Sequence, residues 1–156
     1  RPTITQMQYY GIFAKTSDQT PAAIDTAYAV TFDSTEVGNG VTLGTPTSRI
    51  VVPQSGLYQF SGTIQLTSGN SSAKNIRLWF RKNGTDVANS TRIVTMDLNG
   101  GYRPIALAQF FELAANDYVE LMFASTDTAV TIDAVAATSY APAAPAVVLE
   151  VTQVQQ

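Results

Sequence analysis

The chain has 156 residues, no cysteine, no histidine and a formal net charge of −3. A chain of this length is most simply one domain and can bury enough surface to fold without a metal or a disulfide. The absence of cysteine excludes disulfides and thiol nucleophiles, and the absence of histidine removes the usual general base and the commonest metal ligand.

Charged residues make up 13% of the chain, about half the ~25% of an ordinary domain. We interpret so weakly charged a surface as one that is mostly covered by partners, including copies of the same chain. The alternative is a neutral, threonine-rich monomer. The acidic pI of about 4.7 argues against a nucleic-acid partner, and no apolar run approaches the ~20 residues of a membrane span.

In the first third of the chain the pattern predicts an arm and several short strands. We assign residues 1–25 to an N-terminal arm and a first strand, and residues 26–156 to the body of the same domain. The predicted strands here are residues 7–15, 26–32, 41–43 and 48–52, with a loop over residues 16–23 and a turn-rich loop over residues 33–40.

Residues 56–84 form the central stretch of the chain. Tyr58, Phe60 and the apolar residues that follow them alternate with polar ones, and this period of two predicts a long strand half buried on one face. A second alternating strand follows a polar turn and ends at Asn83-Gly84, a pair that favours a type I′ hairpin turn. A return strand is predicted around Val87 and residues 93–94.

Residues 102–113 predict a strand that is apolar on both faces. Leu107 and Phe111 lie on one side, and Ala106, Ala108 and Phe110 on the other. Apolar residues on both faces indicate a strand that is covered on both sides. Further strands are predicted near residues 118–125, 130–136 and 146–154. About ten short strands without a convincing helix are typical of a sandwich or barrel.

Candidate chemistry is sparse. Ser71 and Lys74 match the Ser-x-x-Lys spacing of penicillin-recognising enzymes, but they lie in a turn before a strand and lack the partner motifs. A carboxylate pair among Glu112, Asp117 and Glu120 is possible for glycoside hydrolysis, although Asp117 is better explained as a turn residue. We predict no enzyme activity, no cofactor and no metal site. Trp79, flanked by Arg77 and Arg81, is interpreted as packed under the arginine stems rather than as a ligand platform.

Three segments together resemble a known family. Residues 49–66 (RIVVPQSGLYQFSGTIQL) are similar to the P-x-x-G-x-Y-x-F-S strand of C1q and tumour-necrosis-factor-like jelly rolls. Residues 77–87 resemble the next strand with its Asn-Gly hairpin, and residues 110–123 resemble the L-x-x-G-D-x-V-x-L pair. The closing segment, residues 142–154, is more similar to the C1q-like modules of tailed-bacteriophage structural proteins than to secreted animal ones. The collagen stalk, the closing motif and the calcium sites of the animal proteins have no match here.

The resemblance implies an all-β, jelly-roll β-sandwich of about ten antiparallel strands that assembles as a homotrimer, with one sheet against the threefold axis. On two strands expected in that axial sheet, the residues that point away from the core would face the threefold axis. The trimer-interface residues predicted from them, with one from the first strand, are Tyr9, Leu57, Gln59, Tyr118, Glu120 and Met122.

The function implied is that of a phage virion structural protein, a decoration or cement protein on the capsid exterior. Its partner would be the major capsid protein, and the predicted capsid-contact arm consists of Arg1, Pro2, Thr3, Ile4, Thr5 and Gln6. The main alternative is the receptor-binding or fibre-tip domain of a phage fibre, which would recognise a host surface glycan or protein. A secreted C1q-like ligand is a weaker third hypothesis.

Overall fold

The computed structural model describes residues 8–97 and 99–156, and in that part of the chain the regular structure is all β, without a helix. The strands in chain order are β1 (Tyr10–Lys15), β2 (Tyr28–Ala29), β3 (Ser34–Asn39), β4 (Thr42–Leu43), β5 (Ile50–Val51), β6 (Gly56–Ser68), β7 (Lys74–Lys82), β8 (Thr85–Asp86), β9 (Arg92–Met96), β10 (Tyr102–Leu113), β11 (Tyr118–Ser125), β12 (Val130–Ile132) and β13 (Val147–Gln155).

These strands form two antiparallel sheets. Sheet A has the order β10-β6-β13-β1-β3, and β12 pairs with the far end of β6. Sheet B has the order β4-β5-β11-β7-β8, and β2 and β9 extend it beside β11 and β7. The long strands therefore alternate between the sheets along the chain: β6, β10 and β13 belong to sheet A, and β7 and β11 belong to sheet B.

The core lies between the two sheets and follows from the alternation in the sequence. The even-numbered residues of β6, from Tyr58 to Leu66, are buried with Ile76, Leu78 and Phe80 of β7, apart from the glycine at position 62. Phe60, Phe80 and Phe111 meet edge to face, with ring centroids 5.2–6.4 Å apart. Such aromatic contacts stabilise the junction beyond the burial of apolar area alone, so this cluster joins sheet A to sheet B.

The predicted turns are confirmed. Asn83 and Gly84 have φ values of 50° and 83°, and they join β7 to β8 in a two-residue hairpin. Asn116, with φ 71°, turns the chain between β10 and β11. Asp117 accepts hydrogen bonds from the Ala114 N–H at 2.8 Å and the Asn83 Nδ2 at 2.9 Å. These two bonds outweigh burial and hold the pKa of Asp117 below its ordinary value.

Two predictions near the N-terminus are wrong. Residues 33–40 were predicted as a loop, but residues 34–39 form β3 at the edge of sheet A, in register with β1. Because an edge strand is exposed on most of its surface, its sequence does not need the apolar alternation that signals a strand. Conversely, the strand predicted over residues 26–32 is reduced to the two residues of β2.

Candidate functional site

The outward side of sheet A contains few charges. Its three long strands, β6, β10 and β13, carry three charged residues in all, Arg103, Glu112 and Glu150. Among the described residues, five of the eight large apolar side chains that are exposed lie on strands of this sheet; they are Tyr10, Val37, Tyr102, Phe110 and Val154. We call the outward side chains of β1, β3, β6, β10 and β13 the sheet A face.

The register of the strands gives the sheet A face its shape. Two rows of side chains cross the sheet, Ala106–Thr63–Val148 and Ala108–Ser61–Glu150, and all but Glu150 are small or of medium size. They line a shallow groove of about 390 Å³. The next row contains Phe110, Gln59 and Thr152, and the Phe110 side chain is 56% exposed. The face thus presents an aromatic projection beside a hollow of small residues.

The outward side of sheet B, which we call the sheet B face, is different because several of its charges have partners within the chain. Arg81 lies in register between Asp86 and Glu120. Its Nε is 2.6 Å from the Asp86 carboxylate, which also accepts a hydrogen bond from the Trp79 indole at 2.8 Å. These two donors hold the pKa of Asp86 below its ordinary value. Ser48 donates a hydrogen bond of 2.6 Å to Glu120.

Some apolar and aromatic residues of the sheet B face are also covered within the chain, although Ile93 of β9 is exposed. Met122 points outward from β11, in register with Trp79 and Ala29, and is only 3% exposed. The Arg49 guanidinium lies 4.4 Å from the centre of the Tyr118 ring, in the geometry of a cation–π contact. Trp79 itself is half-buried and lies on the same side of β7 as Arg77 and Arg81.

The structure does not bring the six predicted interface residues together. Leu57 and Gln59 lie on β6 of sheet A, whereas Tyr118, Glu120 and Met122 lie on β11 of sheet B. The expectation that these two strands share one axial sheet is therefore wrong. Alternation shows which side chains of a strand point inward, but it does not show which of two sheets the strand joins.

The remaining predicted residues are placed as follows. Tyr9 packs against the core and against Gly40 rather than standing on the sheet A face. Gln59 lies at the middle of that face, between Phe110 and Thr152. Leu57 is half-buried at one end of β6, in register with Glu112. The arm residues Arg1, Pro2, Thr3, Ile4, Thr5 and Gln6 lie outside the described residues.

Sequence reasoning missed Phe110, Ala106 and Ala108 as interface candidates. The signal was present, because β10 was predicted to be apolar on both faces and covered on both sides. The structure covers one side of β10 with the core and leaves Ala106, Ala108 and Phe110 outside the core on the other. The second cover is therefore not supplied by the described part of this chain.

The residues considered for catalysis are not assembled into a catalytic group. Lys74 lies 3.8 Å from the Asp127 carboxylate, and Glu112 and Glu120 belong to different sheets. Across residues 8–97 and 99–156, no three histidine, cysteine, aspartate or glutamate side chains are grouped closely enough to hold a metal ion. The same residues include no helix long and apolar enough to cross a membrane.

Models of known protein families and the curated proteins gave no match to this chain.

Proposed function

We propose that this chain is a structural protein of a tailed-phage virion that associates with copies of itself through the sheet A face. The observation that supports self-association most directly is the exposed Phe110 beside a groove of small residues, on a face with few charges. Centres of protein interfaces are depleted in charge and enriched in aromatic residues. The sheet A face has both properties, whereas the sheet B face carries more charges and its aromatic residues Trp79 and Tyr118 have partners within the chain.

The strand order supports a jelly roll as the form of the sandwich. Successive long strands cross from one sheet to the other, so that β6 and β10 pair in sheet A although β7 to β9 lie between them in sequence. Crossings of this kind arise from the Greek-key connections of a jelly roll. The motif resemblance and the strand order thus favour the same fold, and with it a homotrimer.

The energetic argument for assembly rests on the area that the sheet A face can bury. Burying a phenylalanine side chain contributes roughly 1.5–3 kcal/mol, and a stable interface buries about 1,200–2,000 Å² in total. Tyr10, Tyr102 and Phe110 are large apolar side chains that a neighbouring copy would cover. In a closed trimer the symmetry repeats every contact, so each of these side chains is buried in all three subunits.

The role that we propose for the trimer is decoration of the capsid exterior, in contact with the major capsid protein. A trimer that bridges several capsid subunits combines weak contacts through effective concentration, and reinforcement of the shell follows from that linkage. Contact through the arm, residues 1–6, remains a prediction from the sequence.

The test of self-association compares two substitutions that place a charge on the two faces. Phe110→Asp changes a 56% exposed residue of sheet A, and Ile93→Asp changes a 59% exposed residue of sheet B. We expect the unsubstituted chain and Ile93→Asp to be trimers by native mass spectrometry. Phe110→Asp should be a folded monomer, because a carboxylate buried without a partner is strongly disfavoured. An unsubstituted chain that stays monomeric at high concentration contradicts the proposal.

The test of the role is the number of copies in purified virions. A copy number close to that of the major capsid protein is the result expected for a decoration protein. A few copies per particle would instead place the chain in a fibre or spike.

One observation favours that second candidate, a receptor-binding or fibre-tip domain. The loop of residues 133–146 is closed by Val135 and Ala144, which exchange two backbone hydrogen bonds of 2.8 Å, and Tyr140 in this loop is 88% exposed. Exposed tyrosines on ordered loops are well suited to recognition of a partner. A low copy number, together with loss of adsorption to host cells by Tyr140→Ala virions, is the result that favours this candidate over decoration.

A further inference from the structure

A groove of about 590 Å³ lies between the loop of residues 133–146 and the ends of β1 and β3. One wall is formed by Ala134–Ala136 and Ala143–Pro145, and Ala14 and Val148 also line the groove. The Val135–Ala144 hydrogen bonds fix this wall in place. The apolar part of the groove is therefore built from small, well-held side chains that leave room for a ligand.

A second wall is polar and acidic. It contains Thr16, Ser17, Asp18 and Glu36. Asp33 lies beside this wall and accepts hydrogen bonds of 3.0 to 3.2 Å from Thr16 and Ser17. Burial alone would raise the pKa of Asp33, but these bonds and the charge of Lys15 outweigh it and lower that pKa. The carboxylate of Asp33 thus adds a fixed negative charge to the wall.

The negative charge at the groove is only weakly compensated. Lys15 is the cation that interacts with Asp18 and Asp33, but it is 5% exposed and its Nζ donates a hydrogen bond to Thr31 at 3.1 Å. Asp18 is held in place because its Oδ1 accepts the Ala134 N–H at 2.8 Å. Small apolar side chains and carboxylates that one nearby lysine only partly compensates therefore line the same groove.

We propose that this groove binds a peptide segment of a partner protein that carries an arginine or lysine side chain. Such a side chain has an apolar stem, which fits the alanine wall, and a cationic end, which fits the carboxylates of Asp18 and Glu36. Hydrogen bonds between a cationic donor and a carboxylate are stronger than those between neutral groups. The volume lies in the 300–1,000 Å³ range of small-ligand pockets and accommodates a side chain with its flanking residues.

The position of β3 explains why the ligand is a peptide rather than a free amine. β3, which carries Glu36, is the last strand of sheet A and pairs with β1 on one side only. Extended peptides can add to such an edge through backbone hydrogen bonds. A peptide can thus pair with this edge while its cationic side chain enters the groove.

This inference goes beyond self-association and does not depend on it. Glu36 and Phe110 lie on strands at opposite edges of sheet A. A substitution at Glu36 can therefore abolish peptide binding while native mass spectrometry still reports the trimer, and the two proposals can fail separately.

The experiment titrates the full ¹⁵N-labelled chain with Ac-Ala-Ala-Arg-Ala-Ala-NH2 and follows backbone amide resonances by NMR. The matched peptide replaces arginine with citrulline, which keeps the shape and removes the charge. We expect the arginine peptide to shift the amides of Ala134, Val135 and Ala144, and the citrulline peptide to bind roughly tenfold more weakly. Glu36→Gln should weaken arginine binding, whereas Glu112→Gln, on the opposite edge of the sheet, should leave it unchanged.

Three results overturn the proposal. The first is equal binding of the arginine and citrulline peptides, which would show that charge plays no part. The second is the absence of shifts at these amides with millimolar peptide. The third is a response of the same amides to a neutral oligosaccharide, maltotriose, but not to the arginine peptide, which would make the occupant a glycan.

Discussion

Outward side chains of sheet B find their partners within the chain, whereas those of sheet A leave apolar surface uncovered. β7 alone carries Lys74, Arg77, Arg81 and Lys82, and the Arg81–Asp86 pair and the hydrogen bonds of Trp79 and Glu120 organise its surroundings. β6 and β10 instead present alanine, serine, threonine and Phe110. The side of a strand that faces away from the core therefore carries its own information, because its composition separates the charged sheet B face from the weakly charged sheet A face.

The largest effect on stability is expected in the core between the two sheets. Two phenylalanines of sheet A should respond differently to substitution, because one lies in this core and the other does not. Phe60 is fully buried against Phe80 and Phe111, so Phe60→Ala should lower the free energy of unfolding by about 3–5 kcal/mol. Phe110→Ala should change that free energy of the monomer by less than about 0.5 kcal/mol, because the side chain points away from the core.

Urea unfolding under monomeric conditions, with native mass spectrometry of the same samples, checks this pair. The expected difference is that Phe60→Ala changes stability and Phe110→Ala changes only assembly. An equal loss of monomer stability from both substitutions would show that the sheet A face is part of the core and not a surface.

A smaller effect on stability is expected at the hairpin between β7 and β8, which places Asp86 on the sheet B face. Gly84 has φ 83° and joins β7 to β8. An alanine in this left-handed conformation costs about 1–2 kcal/mol, so Gly84→Ala should lower the free energy of unfolding by that amount. The trimer should persist, because the hairpin belongs to sheet B.

The matched control is Gly69→Ala, since Gly69 lies in a turn where the nearest atom to an added Cβ is 4.0 Å away. We expect this control to change stability by no more than about 0.5 kcal/mol in either direction. Dissociation of the trimer by Gly84→Ala would contradict the assignment of assembly to sheet A alone.

The long strands could be predicted from the sequence, but the strands with which they pair could not. β10 was predicted over residues 102–113 with the bounds that the structure has, and the Asn83-Gly84 turn was located, because alternation and positive φ are local properties. Sheet membership depends on contacts between distant residues, such as the pairing of β6 with β13. For that reason Gln59 was predicted on the correct face of its strand and grouped with the wrong strand.

The same limit applies to both candidate surfaces. The apolar outward side of β10 was visible in the sequence, but the groove beside Phe110 requires Ser61 and Val148, which are far away along the chain. The acidic groove combines Asp18 and Glu36 with the loop after β12, and no pattern within one segment brings them together.

The smallest expected effects concern pH, and they have opposite signs at two aspartates. Hydrogen bonds from Ala114 and Asn83, together with the charge of Lys82, outweigh burial and lower the pKa of Asp117, next to sheet B. Burial and then the charge of Asp18 raise the pKa of Asp133, near the end of sheet A. A lowered carboxyl pKa stabilises the fold above the unfolded-state pKa, and this stabilisation is lost as the pH falls through the folded-state value. A raised carboxyl pKa has the opposite effect on stability, because the ionised carboxyl destabilises the fold at pH values above the folded-state pKa.

At pH 7, Asp117→Asn should therefore destabilise the fold, by no more than about 1 kcal/mol because the site is partly exposed, and Asp133→Asn should be neutral or stabilising. Both differences from the unsubstituted chain should shrink as the pH falls below about 4, where an ordinary aspartate becomes protonated in the unfolded chain as well. Urea midpoints at pH 7 and at about pH 3 measure both changes. If the two substitutions destabilise the fold equally at pH 7, the carboxyl of Asp133 has favourable partners and this prediction is wrong.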